Sequence, residues 1–338
     1  MASWSWLPWV RRPAPPPVEE DDPLVFAGSA SPNLTAAICR DLGVEVGHGE
    51  VLRFSEGTLF VRVLQNVRGR RVFLVQSTVF PTNDHFMELL FWIDAFKRAS
   101  AESVTALIPY FAYGKGDKKD EPRVSIRARV CADAIEGAGA DRVVTLDLHA
   151  PQMQGFFRVP VDDLYAADRL CTALRRELPE RPVIVSPDSG FAKKARAYAD
   201  RLGAPLAIAD KTRTGHDERT EKVSLIGDVE GRDAIIVDDF TVSGGTLIEA
   251  AEELRRNGAR SVIAAITHAV FSPGTAARLE ASPIERLFVT DTIETQPEPL
   301  GPRVEVVSVA PLFAEAIRRI HRRESISSLF NGEHPPAP

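Results

Sequence analysis

The stretch that decides the fold is Ala234-Ile-Ile-Val-Asp-Asp-Phe-Thr-Val-Ser-Gly-Gly-Thr246. Its apolar residues 234–237 predict a buried strand, and Asp238 and Asp239 follow at the end of that strand. A turn of small residues comes next, and an amphipathic run over residues 246–257 predicts a helix. A buried strand that turns directly into a helix is typical of one βα unit in a parallel sheet.

The same alternation of strands and helices extends in both directions. Before a break near residues 160–164, it predicts strands at 24–27, 58–63, 71–75, 103–108 and 141–146, with helices at 33–42, 84–99 and 126–137. After the break, it predicts strands at 183–186, 206–209, 223–228, 234–237, 261–268, 286–290 and 304–308, with helices at 164–178, 190–202, 246–257, 274–281 and 310–324. Such alternation indicates βαβ crossovers. We therefore predict an α/β fold with two domains, residues 24–164 and 165–330, each a mainly parallel sheet flanked by helices.

The composition narrows the function classes. The 338 residues include 41 basic and 47 acidic side chains, a net charge of −6, and no polybasic run, which argues against nucleic acid as a partner. No segment approaches the roughly 18 apolar residues needed to cross a bilayer, so no membrane partner is expected. Three separated cysteines without a C-x-x-C pair are typical of a reducing cytoplasm, where we expect the protein. Residues 1–22, rich in Pro and Trp and then acidic, predict a disordered extension.

The turn after the strand has the composition of a phosphate-binding loop. Its residues are Ser243, Gly244, Gly245 and Thr246. They can direct several backbone N–H groups and two hydroxyls at one phosphate, and a helix N-terminus adds partial positive charge. The carboxylates of Asp238 and Asp239 would repel that phosphate, so their partner is a pair of sugar hydroxyls or a hydrated Mg²⁺. Phosphate beside a vicinal diol describes a pentose phosphate, whereas an ordinary capped βα turn would not need the two carboxylates.

This stretch resembles the phosphoribosyl-diphosphate loop of type I phosphoribosyltransferases and of ribose-phosphate diphosphokinases. The second family is favoured because segments similar to its own recur in its order over residues 25–330. They include VFAGSASPNLTAAI, RFSEG, NVRGRRVFLVQSTVFPTND, DRVVTLDLHAPQMQGFF, VSPDSG and AEAIRRIHRRESISSLF. The resemblance implies two phosphoribosyltransferase-like domains. It also implies a Mg²⁺-dependent transfer of the β,γ-diphosphate of ATP to O1 of ribose 5-phosphate, with release of AMP.

The resemblance also assigns roles to residues by position. His149 in DLHAPQMQGFF and Asp188 in SPDSG correspond to the family's Mg²⁺ site. Lys211 and Arg213 follow the predicted strand 206–209, precede a polar loop at 214–222, and resemble the family's catalytic pair. Basic residues on a closing loop suit diphosphoryl transfer, which requires charge stabilisation. The ribose 5-phosphate contacts would come from Arg213, Asp238, Asp239, Val242, Ser243, Gly244, Gly245 and Thr246.

The nucleotide would be held by residues of two other segments, one of them supplied by a neighbouring subunit. They are Phe54, Glu56 and Thr58 in RFSEGT, and Lys115 and Gly116 in the loop that starts at Tyr113. Because the family builds this site across subunits, the resemblance implies a homo-oligomer, either a dimer or a hexamer.

Three departures from the family's pattern concern these loops. The family's YARQDRR reads YGKGDKK here, so that Lys115 places a point charge where the family has the fork of an arginine, and Gly116 supplies no side chain. Glu56 and Thr58 stand where Asp and Glu are usual, and Val242 replaces an acidic residue. The sugar-phosphate half of the site is therefore better supported than the nucleotide half, and we expect relaxed selection among nucleoside triphosphates.

Two other functions stay open on the sequence. A non-catalytic paralogue that binds and regulates an active synthetase would explain the unusual Lys115 and Gly116, but not the retention of His149, Asp188 and Lys211. A base-specific phosphoribosyltransferase would need a hood over the nucleobase, and none is visible in the sequence.

Overall fold

The computed structural model describes residues 22–213 and 221–331. In chain order, the first half contains β1 (Leu24–Ala27), α1 (Pro32–Leu42), β2 (Gly49–Arg53), β3 (Leu59–Val63), β4 (Arg71–Val75), α2 (Thr82–Arg98), β5 (Ser103–Ile108), α3 (Arg127–Ala138), β6 (Arg142–Leu146) and β7 (Val161–Leu164). Strands β1, β4, β5, β6 and β7 form a parallel sheet in that order, and β2 and β3 form a separate antiparallel hairpin.

The second half repeats this plan with a larger sheet. It contains α4 (Ala167–Arg175), β8 (Pro182–Ser186), α5 (Ala192–Leu202), β9 (Leu206–Arg213), β10 (Glu221–Ile226), β11 (Asp233–Thr241), α6 (Gly245–Arg256), β12 (Ser261–Ala269), α7 (Thr275–Glu280), β13 (Arg286–Thr290), β14 (Val304–Val307), α8 (Ala310–Arg322) and α9 (Ser327–Asn331). The strand order is β10-β9-β8-β11-β12-β13-β14, and only β10 is antiparallel to its neighbour. The predicted α/β fold with two mainly parallel sheets is confirmed.

One hydrophobic cluster is shared by the two halves, and each half also has a cluster of its own. In the shared cluster, Leu34 and Ile38 on α1 are buried together with Phe313 and Ile317 on α8. Across the same boundary, the carboxylate of Glu294 accepts hydrogen bonds from the first backbone N–H groups of α1. A carboxylate in this position satisfies amides that have no partner within the helix. The proposed division between residues 164 and 165 stays a prediction.

Three predicted boundaries near the site are wrong. β11 continues past residue 237 through both carboxylates to Thr241, because its pairing with β12 persists to Ala269 after its pairing with β8 has ended at Val185. β9 continues past residue 209 to Arg213, because its antiparallel pairing with β10 reaches Glu221. The predicted loop at 214–222 therefore ends before residue 221, and residues 214–220 lie outside the described residues.

The sequence patterns also missed three elements, namely β2, β7 and α9. In β7, Asp162 and Asp163 interrupt the apolar pattern, yet Asp163 is buried and accepts hydrogen bonds from the hydroxyl of Thr145 and the N–H of Leu148. Residues 1–21 of the predicted N-terminal extension lie outside the described residues. Within the part of the chain that is described, no helix is long and apolar enough to cross a bilayer.

Candidate active site

The two carboxylates of β11 lie beside the end of β6, in the other half of the chain. Asp239 is buried, and its Oδ2 accepts a hydrogen bond of 2.8 Å from Nδ1 of His149. Nζ of Lys194 on α5 lies 4.0 Å from the same oxygen and donates to the carbonyl of Leu148 at 2.8 Å. An imidazole, a carboxylate and an ammonium group from three elements therefore meet at one point.

Asp238 and Asp239 have opposite protonation behaviour. Burial raises the pKa of Asp238 well above its ordinary value, and the neighbouring charge of Asp239 raises it further. Burial also tends to raise the pKa of Asp239, but the hydrogen bond from His149 and the charge of Lys194 outweigh it and bring that pKa below its ordinary value. The pKa of Asp238 is therefore the higher of the two, and Asp239 is the carboxyl group that keeps its negative charge more strongly.

The predicted phosphate loop begins α6. Gly244 adopts a left-handed conformation with φ 74°, its N–H donates to the Thr241 hydroxyl, and no side chain caps the helix. Ser243 and Thr246 are exposed. The N–H of Gly245, the first residue of α6, donates to the Ser243 hydroxyl at 3.3 Å. Because the first N–H groups of a helix have no intrahelical acceptor, the N–H of Thr246 is available to an anion. Phosphate binding by this loop stays a prediction.

We expect Gly244→Ala to raise the KM for ribose 5-phosphate about 10-fold, because an L-residue is strained by roughly 1–2 kcal/mol in the left-handed region. The added Cβ would also lie 3.4 Å from Cδ2 of Leu279. Gly203→Ala is the matched control, since φ there is 65° at the end of α5 with no atom near the added Cβ. Equal KM values in the two variants, measured by AMP release, would contradict a phosphate-binding role.

A cavity of about 210 Å³ opens beside His149, lined by residues 110, 111, 113–115, 146–149, 240 and 242 together with His268. Nζ of Lys115 lies 4.2 Å from the ring centroid of Phe240, and the ring of His149 packs edge-on against the same ring with centroids 5.5 Å apart. A cation over an aromatic face is held electrostatically. The structure thus brings the predicted residues Lys115, His149 and Val242 to one cavity next to the phosphate loop.

The two predicted metal-site residues each keep a free ligand atom. His149 uses Nδ1 for Asp239, which leaves Nε2, and Asp188 is exposed and uses Oδ1 to accept the N–H of Phe191 at the start of α5. The charge of Asp188 also contributes, as the smallest of the named causes, to the raised pKa of Asp238. Among residues 22–213 and 221–331, no group of three or more His, Cys, Asp or Glu side chains is arranged to hold a metal ion.

The remaining predicted residues lie elsewhere. Phe54, Glu56 and Thr58 occupy the turn of the β2–β3 hairpin, and none of them lines the cavity. Phe54 is 47% exposed, and the Thr58 hydroxyl donates to Glu56 at 2.7 Å, which lowers the pKa of that carboxyl. Lys211 and Arg213 have described backbones in β9, opposite Val223 and Glu221, while their side chains lie outside the description.

Lys194 is a site residue that the sequence pattern does not identify. It is one of two adjacent lysines on an amphipathic helix, and the helical pattern does not distinguish it from Lys193. Only the tertiary structure, in which α5 packs against β8 and β11, brings its ammonium group to Leu148 and Asp239.

The comparisons with known proteins agree with this geometry. A family model described as the N-terminal domain of ribose phosphate pyrophosphokinase matches residues 24–139, and one described as the phosphoribosyl synthetase-associated domain matches residues 215–331. A ribose-phosphate pyrophosphokinase of Wolinella succinogenes is 46% identical over 306 residues, 90% of this chain and 98% of that protein. Another, from Rhizobium meliloti, is 48% identical over 309 residues, 91% of this chain and 99% of that protein. The chain belongs to the ribose-phosphate pyrophosphokinase family.

A solved structure supports the same assignment. The crystal structure of phosphoribosylpyrophosphate synthetase from Mycobacterium smegmatis matches with a TM-score of 0.84 and 39% identity, and it covers 89% of this chain and 99% of that one. The family resemblance predicted from the loop at residues 234–246 is therefore confirmed, and so is the α/β fold that it implied.

Proposed function

We propose that the chain is a ribose-phosphate diphosphokinase. It transfers the β,γ-diphosphate of ATP to O1 of ribose 5-phosphate, and the products are 5-phosphoribosyl 1-diphosphate and AMP. The observation that carries this proposal is the contact between the two halves, in which His149 and Lys194 hold Asp239 between the phosphate loop and the cavity. That contact supports a site in which an anion-binding helix terminus, sugar-binding carboxylates and a cationic cavity act together.

The sugar-phosphate half of the site follows from β11 and α6. The 5-phosphate lies against the free N–H groups and the hydroxyls of residues 243–246, where the helix terminus favours negative charge. The carboxyl groups of Asp238 and Asp239 accept hydrogen bonds from the ribose hydroxyls. Val242 contributes contact area but no charge, so it does not oppose the phosphate.

On the donor side, positive charge surrounds the triphosphate. Lys115 reaches the cavity from the loop after β5, and Lys211 and Arg213 belong to the β9–β10 hairpin. Diphosphoryl transfer places negative charge on the transferred and bridging oxygens, and fixed cations stabilise it. We assign this charge stabilisation to Lys211 and Arg213, and the positioning of the nucleotide to Lys115.

The residues present fit a Mg²⁺ ion that arrives with the triphosphate. Such an ion keeps several waters and phosphate oxygens and needs only one or two protein ligands. Asp188 and Nε2 of His149 would hold it. The carboxylate of Asp239 accepts the hydrogen bond from Nδ1 of His149 and so fixes the orientation of the imidazole ring. When bound, the ion neutralises charge on the triphosphate.

We also propose that the enzyme is a homo-oligomer, a dimer or a hexamer, in the cytoplasm. Large apolar side chains are exposed on the β2–β3 hairpin and on α2, and they include Leu52, Phe54, Met87 and Phe91. A second copy would cover such a surface. It would also explain why Phe54, Glu56 and Thr58 lie outside the cavity of their own chain, since they would serve a neighbour's site.

The decisive experiment is an assay of AMP release from purified protein with ribose 5-phosphate, Mg²⁺ and a panel of ATP, GTP and CTP. We expect AMP that depends on ribose 5-phosphate, and turnover with more than one triphosphate because the donor loop is relaxed. Strict dependence on ATP would refute the expected use of several nucleoside triphosphates, but it would not refute the proposed activity.

Other outcomes would point to the alternatives. A folded protein that binds ATP and releases no AMP would be a regulatory paralogue. Release of diphosphate from 5-phosphoribosyl 1-diphosphate and a nucleobase would indicate a base-specific phosphoribosyltransferase.

A further inference from the structure

Position 116 in the donor loop lacks a side chain, and Arg127 fills the space. A Cβ built on Gly116 would lie 2.5 Å from Nε and 2.8 Å from Cβ of Arg127. Arg127 is the first residue of α3, so its guanidinium group extends from that helix over the loop. Since no side chain at position 116 is compatible with this arrangement, Arg127 supplies the only functional group at that point of the described loop.

Arg127 has no charged partner within the part of the protein that the structure describes. The side chain is exposed and makes no hydrogen bond or ion pair with any residue of 22–213 or 221–331. Its neighbour on the same helix, Arg129, is by contrast paired with Asp133. The first turn of α3 also contains no acidic residue. An unpaired arginine that packs on a ligand loop is available to an external anion.

The donor loop connects Arg127 to the residues that line the cavity. Gly114 and Lys115 line the cavity, and the ammonium group of Lys115 lies over the ring of Phe240. Gly116 follows Lys115 directly, so the side chain that packs on Gly116 lies one residue along the loop from a cavity-lining cation. Two neighbouring cations match a polyphosphate, and a guanidinium group can bind phosphate through two parallel hydrogen bonds.

We propose that Arg127 is a nucleotide-binding residue that contacts the polyphosphate of the nucleoside triphosphate, in place of the side chain that position 116 lacks. This inference rests on the proposed function and adds a specific contact to the donor half of the site. Arg127 does not take part in binding ribose 5-phosphate.

The test compares Arg127→Ala, Arg127→Lys and the control Arg98→Ala, which removes an exposed arginine of α2 paired with Asp94. For Arg127→Ala, the Kd of ATP with Mg²⁺ by calorimetry and the KM for ATP should both rise about 10-fold, since hydrogen bonds to charged groups contribute at this level. The KM for ribose 5-phosphate should not change. Arg127→Lys should be intermediate because it keeps the charge and loses the fork, and the control should match the wild type.

The outcomes separate this inference from the proposed function. If Arg127→Ala binds ATP as tightly as the wild type, or if both KM values rise equally, the role of Arg127 is refuted while the function stands. If the wild type binds ATP and releases no AMP, the function fails, and a weaker Kd for Arg127→Ala still supports the inference. A thermal unfolding midpoint equal to that of the control verifies that each variant is folded.

Discussion

Asp239→Asn is expected to lower kcat for AMP release about 100-fold while the protein stays folded. Asp239 carries the negative charge that orients His149 and neutralises Lys194. An asparagine has the same shape, but its amide leaves the ammonium group without a counter-charge and allows the imidazole to turn. The reacting groups then lose their relative positions, and such misplacement mainly reduces kcat. Steady-state kinetics with both substrates would measure the effect.

Asp238→Asn changes the same functional group one residue away, and it serves as a comparison for stability only, because Asp238 is also assigned to the ribose hydroxyls. Burial raises the pKa of Asp238 in the folded protein. The free energy of unfolding therefore falls progressively as the pH rises from the pKa of the unfolded chain, near 3.9, towards the pKa of the folded protein. The pKa of Asp239 is lowered in the folded protein, so this carboxylate stabilises the fold at pH values above the pKa of the unfolded chain. The contribution disappears as the pH falls through the pKa of the folded protein.

These opposite signs predict opposite effects on unfolding. At pH 8, Asp238→Asn should have a thermal unfolding midpoint at or above that of the wild type, whereas Asp239→Asn should unfold at a lower temperature. Scanning calorimetry between pH 5 and pH 8 would measure both. Equal destabilisation by the two substitutions would show that the negative charge is shared evenly, which contradicts a higher pKa for Asp238 than for Asp239.

The second large effect is expected for Lys211→Ala and Arg213→Ala, each of which should lower kcat about 1,000-fold with little change in the KM for ATP. Lys211 and Arg213 are separated by one position in β9. We assign both cations to the charge that develops during transfer. The double variant should then be little worse than the more impaired single variant, because residues that act as a unit are not additive.

Arg256→Ala serves as the control for a lost positive charge. Arg256 lies at the end of α6 away from the phosphate loop, is exposed and is paired with Glu253. Rapid quench measurements of AMP formation in a single turnover would separate the transfer step from product release. If Lys211→Ala and Arg213→Ala keep a single-turnover rate within about 10-fold of the control, the charge stabilisation of P–O bond cleavage lies elsewhere.

Local sequence determined the elements and much of the chemistry. The bounds of β1, β4, β5 and β13 follow from short apolar runs, and the loop at residues 243–246 follows from its small residues before an amphipathic helix. These features depend on neighbours in the chain, through side-chain periodicity and backbone preference. The local pattern identified Asp238 and Asp239, and the family resemblance identified His149 and Asp188, although neither showed which of these side chains touch.

The tertiary structure decided how these parts combine. The contact between His149 and Asp239 joins residues 90 positions apart, and Lys194 reaches them from a third element. Arg127 fills the space at Gly116 because α3 begins beside the donor loop, and no pattern in either segment indicates that neighbour. Such contacts depend on the packing of whole elements against a shared core, which is set by the sum of many distant interactions. The sequence therefore determined what the loops of this protein contain, and the packing of its two sheets determined which of their charges meet.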